Sequence, residues 1–170
     1  MTKLRLETPG AEHKEAVMDF RQEFLAARER VSGGVGLELA DTYERWLTRS
    51  VVPHYGKVEE AVFLAFDQGD NLVGISDIRL QTNETISAYA GQIGYSVRPS
   101  QRNKGYASEI LRLTLGQAAG LGFSQVLITC NEPNTASAKV IERNGGRLEA
   151  VIPHPGYPNV KRYWVETSRG

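Results

Sequence analysis

The residues best suited to chemistry in this chain run Val97-Arg98-Pro99-Ser100-Gln101-Arg102-Asn103-Lys104-Gly105-Tyr106-Ala107. A strand ends, the chain turns, and a helix begins at a glycine preceded by polar and basic residues. The first amides of a helix have no internal partners and carry the positive end of its dipole. They can cradle a diphosphate when no bulky side chain covers the backbone. Gly105 offers no side chain at the tightest point, Ala107 keeps the next exposed position small, and Arg102 and Lys104 add complementary charge. The loop is neither a P-loop, which needs Gly-Lys-Ser/Thr, nor the dinucleotide fingerprint Gly-x-Gly-x-x-Gly. Standing alone, Arg-x-x-Gly-x-Ala is more often an ordinary solvated helix start, so its context decides.

Other chemistries have little to work with. One cysteine, Cys130, rules out an intrachain disulfide and a thiolate metal cluster. His13, His54 and His154 lack the close spacing of a zinc motif, so no metal is expected. Twenty basic side chains balance twenty acidic ones, which argues against nucleic acid as a partner. The 170 residues, 41% hydrophobic and 24% charged, fit one soluble domain spanning 1–170. No apolar run has the length of a signal or membrane segment, so a cytoplasmic protein without a membrane partner is the expectation.

The elements that must position the loop are legible as periodicities. Leu4 and Leu6 alternate with charges in a first strand. Ala16, Val17, Phe20, Phe24 and Ala27 share one face of a helix over 11–30, which the glycines of 32–36 break. Asp41 with Glu44 reads as a capping box opening a second helix, with Tyr43, Trp46, Leu47 and Val51 as its stripe and Pro53 as its end. Apolar runs over 61–66 and 72–80 flank a turn at 68–71, a hairpin. A strand over 92–97 leads into the loop, and Ala107, Ile110, Leu111, Leu115 and Ala118 line the helix that follows. A strand over 126–130, a helix from Asn134 to Gly145-Gly146 and strands near 147–152 and 161–166 complete the chain. Strand, helix, strand over 92–130 implies parallel pairing through a right-handed crossover. The fold class is α/β: a mixed, mostly antiparallel sheet with a central parallel strand pair and helices on both faces.

In this context the chain resembles the GNAT superfamily of N-acetyltransferases. The family signature, Arg/Gln-x-x-Gly-x-Gly/Ala after a strand ending in Val-x-Pro, is matched by Val97, Pro99, Arg102, Gly105 and Ala107. Its next landmark is matched by the strand over 126–130, Asn134 with Ser137, and Asn144-Gly145-Gly146. The element order agrees over nearly the whole chain. The stretch Ile-Gly-Tyr-Ser-Val-Arg-Pro and Arg162-Tyr163-Trp164 resemble, more narrowly, a bacterial subgroup of predicted acetyltransferases that often carries His where this chain has Gln92.

The resemblance implies acetyl-coenzyme A as cosubstrate and an amine of a small molecule or protein as acceptor. Pantetheine inserts beside the strand before the loop, bonded by the backbones of Tyr95 and Val97. The Val97 amide also polarises the thioester carbonyl. Backbone amides of Arg102, Asn103, Lys104, Gly105, Tyr106 and Ala107 hold the pyrophosphate, and Asn134, with Ser137 nearby, meets pantetheine. Asn134 is equally a helix N-cap, and the two roles are compatible. An alternative on the same fold is a non-catalytic acyl-coenzyme A binding module or sensor.

Catalysis departs from the family pattern. An alkylamine has a pKa of about 10 and must lose a proton before attack. For the base, Glu132 follows the second strand of the central pair, Glu84 lies in the connection before Gln92, and a water wired through Gln92 is a third route. The family's tyrosine, which protonates the departing thiolate, is Ile141 here; Tyr106, Tyr157 and Tyr163 are substitutes, although Tyr163 sits in a final strand whose aromatics are more often core. A thiol pKa of only about 8.5 also lets the thiolate leave unaided. Cys130 reads as a small core residue near the pantetheine rather than a nucleophile. The resemblance frames the acceptor with Glu23, the loop over 32–39 and the turn over 154–158, and leaves room for a homodimer.

Overall fold

The computed structural model describes residues 3–167, and its elements follow the order read from the sequence. β1 (Arg5–Glu7) precedes α1 (Lys14–Ala27), which buries Val17, Phe20 and Phe24. α2 (Tyr43–Leu47) is capped by Thr42 rather than Asp41: the Thr42 hydroxyl accepts from the Arg45 N–H at 3.2 Å. Asp41 instead reaches the Arg45 guanidinium one turn on. Val51 packs on the same core from the following loop, because Arg49, at a φ of 60°, takes the chain out of the helix.

β2 (Glu60–Phe66) and β3 (Leu72–Arg79) form the expected hairpin. Its turn is closed by Asp67, whose Oδ1 accepts from the N–H groups of Gly69 and Asn71, each at 2.9 Å. A π-helical turn (Ile86–Ala90), not read from the sequence, leads to β4 (Ile93–Val97). Then come α3 (Tyr106–Gly120), β5 (Gln125–Asn131), α4 (Thr135–Arg143), β6 (Arg147–His154) and β7 (Tyr157–Glu166).

All pairings are antiparallel, in the orders β1-β2-β3-β4 and β5-β7-β6. Among the described residues no ladder joins β4 to β5, so the expected central pair is a seam between two sheets rather than a continuous mixed sheet. Helices cover both faces. α1 and α2 pack Phe20, Phe24 and Trp46 against Leu64 and Ile75 on one side. On the other, Leu111, Leu115 and Ala118 of α3 and Ile141 of α4 meet Ile78, Ile93, Val126, Ile128 and Tyr163. Burial of this size and continuity is what holds the seam's two walls in place. Among the described residues no helix is long and apolar enough to cross a membrane.

Candidate active site

The seam between β4 and β5 opens into a cleft of about 1010 Å³. At one end Gln92 ties the strands: its N–H donates to the Leu127 carbonyl at 2.7 Å, and its Oε1 accepts from the Leu127 N–H at 2.9 Å. Farther along, a side-chain bridge replaces the main-chain ladder, with Tyr95 Oη 2.9 Å from Ser137 Oγ on α4. Arg79 N–H donates to the Gln92 carbonyl and Arg98 N–H to the Val73 carbonyl, both at 2.8 Å. Even-numbered residues of β4 therefore direct their main-chain groups to β3. By the alternation of an antiparallel ladder, those of Tyr95 and Val97 point the other way, into the cleft. Apart from the Val97 carbonyl, which accepts from Arg102 Nε at 3.3 Å, they form an open edge of the kind that binds an extended, amide-bearing ligand.

The loop after β4 delivers the helix mouth to the same cleft. Gly105 has a φ of 82° and nothing within 4 Å of where a Cβ would sit, so left-handed backbone, not crowding, requires glycine there. No side chain caps α3, and the cleft is lined by Asn103, Gly105, Tyr106 and Ala107. The basic side chains of the loop itself, Arg102 and Lys104, are committed elsewhere. Arg102 lines the cleft but spends its guanidinium on Glu29, at 2.7 and 3.1 Å, and on the Val97 carbonyl at 3.3 Å. Lys104 bonds Gln101 Oε1 at 2.9 Å. Within the loop, anion binding thus falls to the amides.

Asn134 caps α4 by accepting from the Ser137 N–H at 3.1 Å, and both residues line the cleft. The opposite wall is the loop after α1. Gly33, at a φ of 76°, lies so close to β4 that a Cβ there would come within 2.5 Å of the Gly94 carbonyl oxygen. The turn between β6 and β7 adds His154 and Tyr157, and His154 stacks on Tyr89 with ring centroids 3.8 Å apart. Both acceptor-side segments read from the sequence therefore reach the cleft.

The titratable residues sort differently. Glu132 is exposed and bonds Asn159 Nδ2 at 3.2 Å, Glu84 is exposed, and Gln92 serves the strand tie. Glu23 is bound by Ser100 and Arg98; burial pushes its carboxyl up, but those donors outweigh it and hold it below its usual range. Ile141 is fully buried. Tyr163 is a core residue whose hydroxyl reaches Glu142, whereas Tyr106 and Tyr157 line the cleft. Cys130 belongs both to the core and to the cleft wall, and burial raises its thiol pKa.

Two features escaped sequence reading. One is the Tyr95 hydroxyl, whose phenol burial pushes up to about 12. The other is a buried polar cluster of Tyr55, Glu60, Asp77 and Arg79 against the cleft wall. Its signal was present: Asp77 and Arg79 interrupt a strand in which every residue is buried.

A family model described as an acetyltransferase (GNAT) domain matches residues 3–147. Among solved structures, RimL, a ribosomal alpha-N-protein acetyltransferase in complex with coenzyme A, is similar over 98% of this chain and 95% of its own, with a TM-score of 0.71 and 20% identity. The spermidine N-acetyltransferase of Vibrio cholerae in complex with coenzyme A and spermine is similar over 96% of this chain and 95% of its own, with a TM-score of 0.66 and 14% identity. Likeness at such identities is one of fold. A comparison with curated proteins gives no significant sequence match.

Proposed function

This chain belongs to the GNAT acetyltransferase family and is an acyltransferase, and from that premise we propose that it moves acetyl from acetyl-coenzyme A to an amine by direct attack in the cleft. The observation that carries the reading is the meeting of two open backbone surfaces: the uncapped amides at the mouth of α3, and the outward main-chain groups of Tyr95 together with the Val97 N–H. The first suits a pyrophosphate and the second an amide-bearing pantetheine arm, one after the other along a single cleft. Coenzyme A in complexes of the two similar structures supports the same choice of donor.

Within this reading the Val97 N–H polarises the thioester carbonyl, a role worth several kcal/mol in a water-poor site. Asn134 and Ser137 flank the pantetheine, and the loop over 32–36 with the His154 turn frames the acceptor. Glu132 and Glu84, the sequence-based candidates for the base, and Gln92, the candidate for wiring a water, stand outside the cleft lining, which favours another route for the amine proton. A single domain over 1–170 working in the cytoplasm belongs to the same proposal.

The test is mass spectrometry of an amine mixture incubated with the protein and isotopically labelled acetyl-coenzyme A. A labelled N-acetyl product is expected, and it also identifies the acceptor. Coenzyme A binding with no labelled product from small amines, peptides or protein N-termini would sink the catalytic reading.

A further inference from the structure

The reaction proposed above needs a place for the acceptor's proton, and the carboxylates that line the cleft are committed. Glu29 holds Arg102, and Glu38 accepts from the Val31 N–H at 2.8 Å. The Tyr55 hydroxyl has a different character. Tyr55 lines the cleft and is only 8% exposed. Its hydroxyl hydrogen-bonds the Glu60 carboxylate and lies 3.0 Å from Asp77 Oδ2.

The surroundings fix that geometry. Asp77 is fully buried; its Oδ1 accepts from the Gly94 N–H at 3.0 Å and its Oδ2 sits 3.1 Å from Arg79 Nε. Arg79 donates through Nη1 to the carbonyls of Ala90 and Gly91, each at 3.1 Å, and covers the Tyr55 ring at 4.2 Å. Arg49, anchored on the Leu47 carbonyl at 3.1 Å, faces the same cluster. The cluster touches β4 at Gly94, one residue before the cleft-facing Tyr95. Asp77 and Arg79 answer each other's charge, which leaves the half-buried Glu60 as the carboxylate able to gain and release a proton.

Resting on the acyl-transfer reading, we propose that Tyr55 and Glu60 form the exit path for the acceptor's proton. In one concerted transfer the amine N–H bond breaks as its proton reaches the Tyr55 oxygen, while the phenol's own O–H bond breaks and that proton passes to a Glu60 carboxylate oxygen, so Tyr55 stays neutral throughout. The nitrogen keeps its electron pair and is free to attack. Glu60 later releases the proton to solvent from its exposed edge. Tyr55 is the catalytic residue, and Glu60 acts through it. Burial first, then the neighbouring Asp77, push the Glu60 carboxyl up to about 8, close to the range where a base is most effective. The charged and titratable groups facing it are Tyr55, Asp77, Arg79 and Arg49.

Two measurements test the path. In the protein alone, infrared difference spectra should show a protonated carboxylic acid near neutrality that ionises as pH rises through about 8, and Glu60→Gln should lack it. A wild-type spectrum without that band overturns the path, whatever the acceptor. With the amine identified by its labelled product, kcat/KM is then compared for wild type, Tyr55→Phe and Glu60→Gln. About a hundredfold loss is expected at pH 7 in each variant, at the low end of general-base effects. The loss should shrink at high pH, where solvent deprotonates the amine, while thermal stabilisation by coenzyme A is retained. A deficit that is equal at every pH, or below twofold, overturns the relay while leaving acetyl transfer standing. Loss of coenzyme A stabilisation together with absence of any product instead overturns the acyl-transfer reading and the relay with it. Glu60→Gln, close to isosteric, carries the comparison should Tyr55→Phe fold poorly.

Discussion

Gln92 and Leu127 share two hydrogen bonds across the seam, one at 2.7 Å between main-chain groups and one at 2.9 Å through the Gln92 side-chain oxygen. The second imitates a ladder bond with a side chain, and the strands then part. A continued ladder would consume the Tyr95 and Val97 groups that the cleft needs. Stopping it at Gln92 keeps β4 and β5 adjacent and still leaves those groups open.

Replacing Gln92 therefore strands a buried donor. Gln92→Leu should lower stability by about 1–3 kcal/mol, the usual cost of an unsatisfied buried N–H. Gln92→Glu keeps an acceptor and should cost less. Urea denaturation of both variants measures the difference, and equal losses would show that the Leu127 bond does not matter.

Gly105 separates backbone strain from ligand exclusion. Gly105→Ala meets open space and bears only the left-handed φ, a loss of about 1 kcal/mol, with coenzyme A binding retained. Gly105→Glu puts a carboxylate before the α3 amides and should abolish thermal stabilisation by acetyl-coenzyme A. Wild type should gain about 2.7 kcal/mol at a hundredfold excess over Kd. Unchanged stabilisation in the glutamate variant refutes the assigned helix mouth.

Tyr95 and Ser137 bridge the parted strands at 2.9 Å. A double-mutant cycle with Tyr95→Phe and Ser137→Ala should return a coupling of about 0.5–1.5 kcal/mol by chemical denaturation. Because burial holds the Tyr95 phenol near 12, that coupling should be constant from pH 6 to 9. A coupling near zero would mean the hydroxyls are satisfied independently.

Glu60 links stability to pH. Its folded-state pKa of about 8 lies above the ordinary 4.5, so the fold favours the protonated carboxyl. That contribution is fully present below about 4.5, declines as pH rises, and is gone once pH passes about 8. Relative to wild type, Glu60→Gln should gain in Tm steadily over that interval and level off above it. A Tm difference that does not change with pH would place Glu60 in an ordinary solvated environment.

The sequence by itself determined the element order, the apolar faces of α1 and α3, and the helix mouth at Gly105. These follow from the 3.6-residue and two-residue periods and from the chemistry of a helix start, which act between near neighbours. It also marked the open backbone of Tyr95 and Val97 through the family resemblance. Tertiary structure alone decided which polar side chains meet. Tyr55 and Asp77 are 22 residues apart, Gln92 and Leu127 are 35, and Tyr95 and Ser137 are 42. No local pattern encodes such pairs. It likewise took Arg102 to Glu29, Glu23 to Arg98 and Glu132 to Asn159, committing charges that the linear chain offered to ligand and catalysis. A charge's partner is set by folding distance, and only the folded chain shows which groups remain free for substrate.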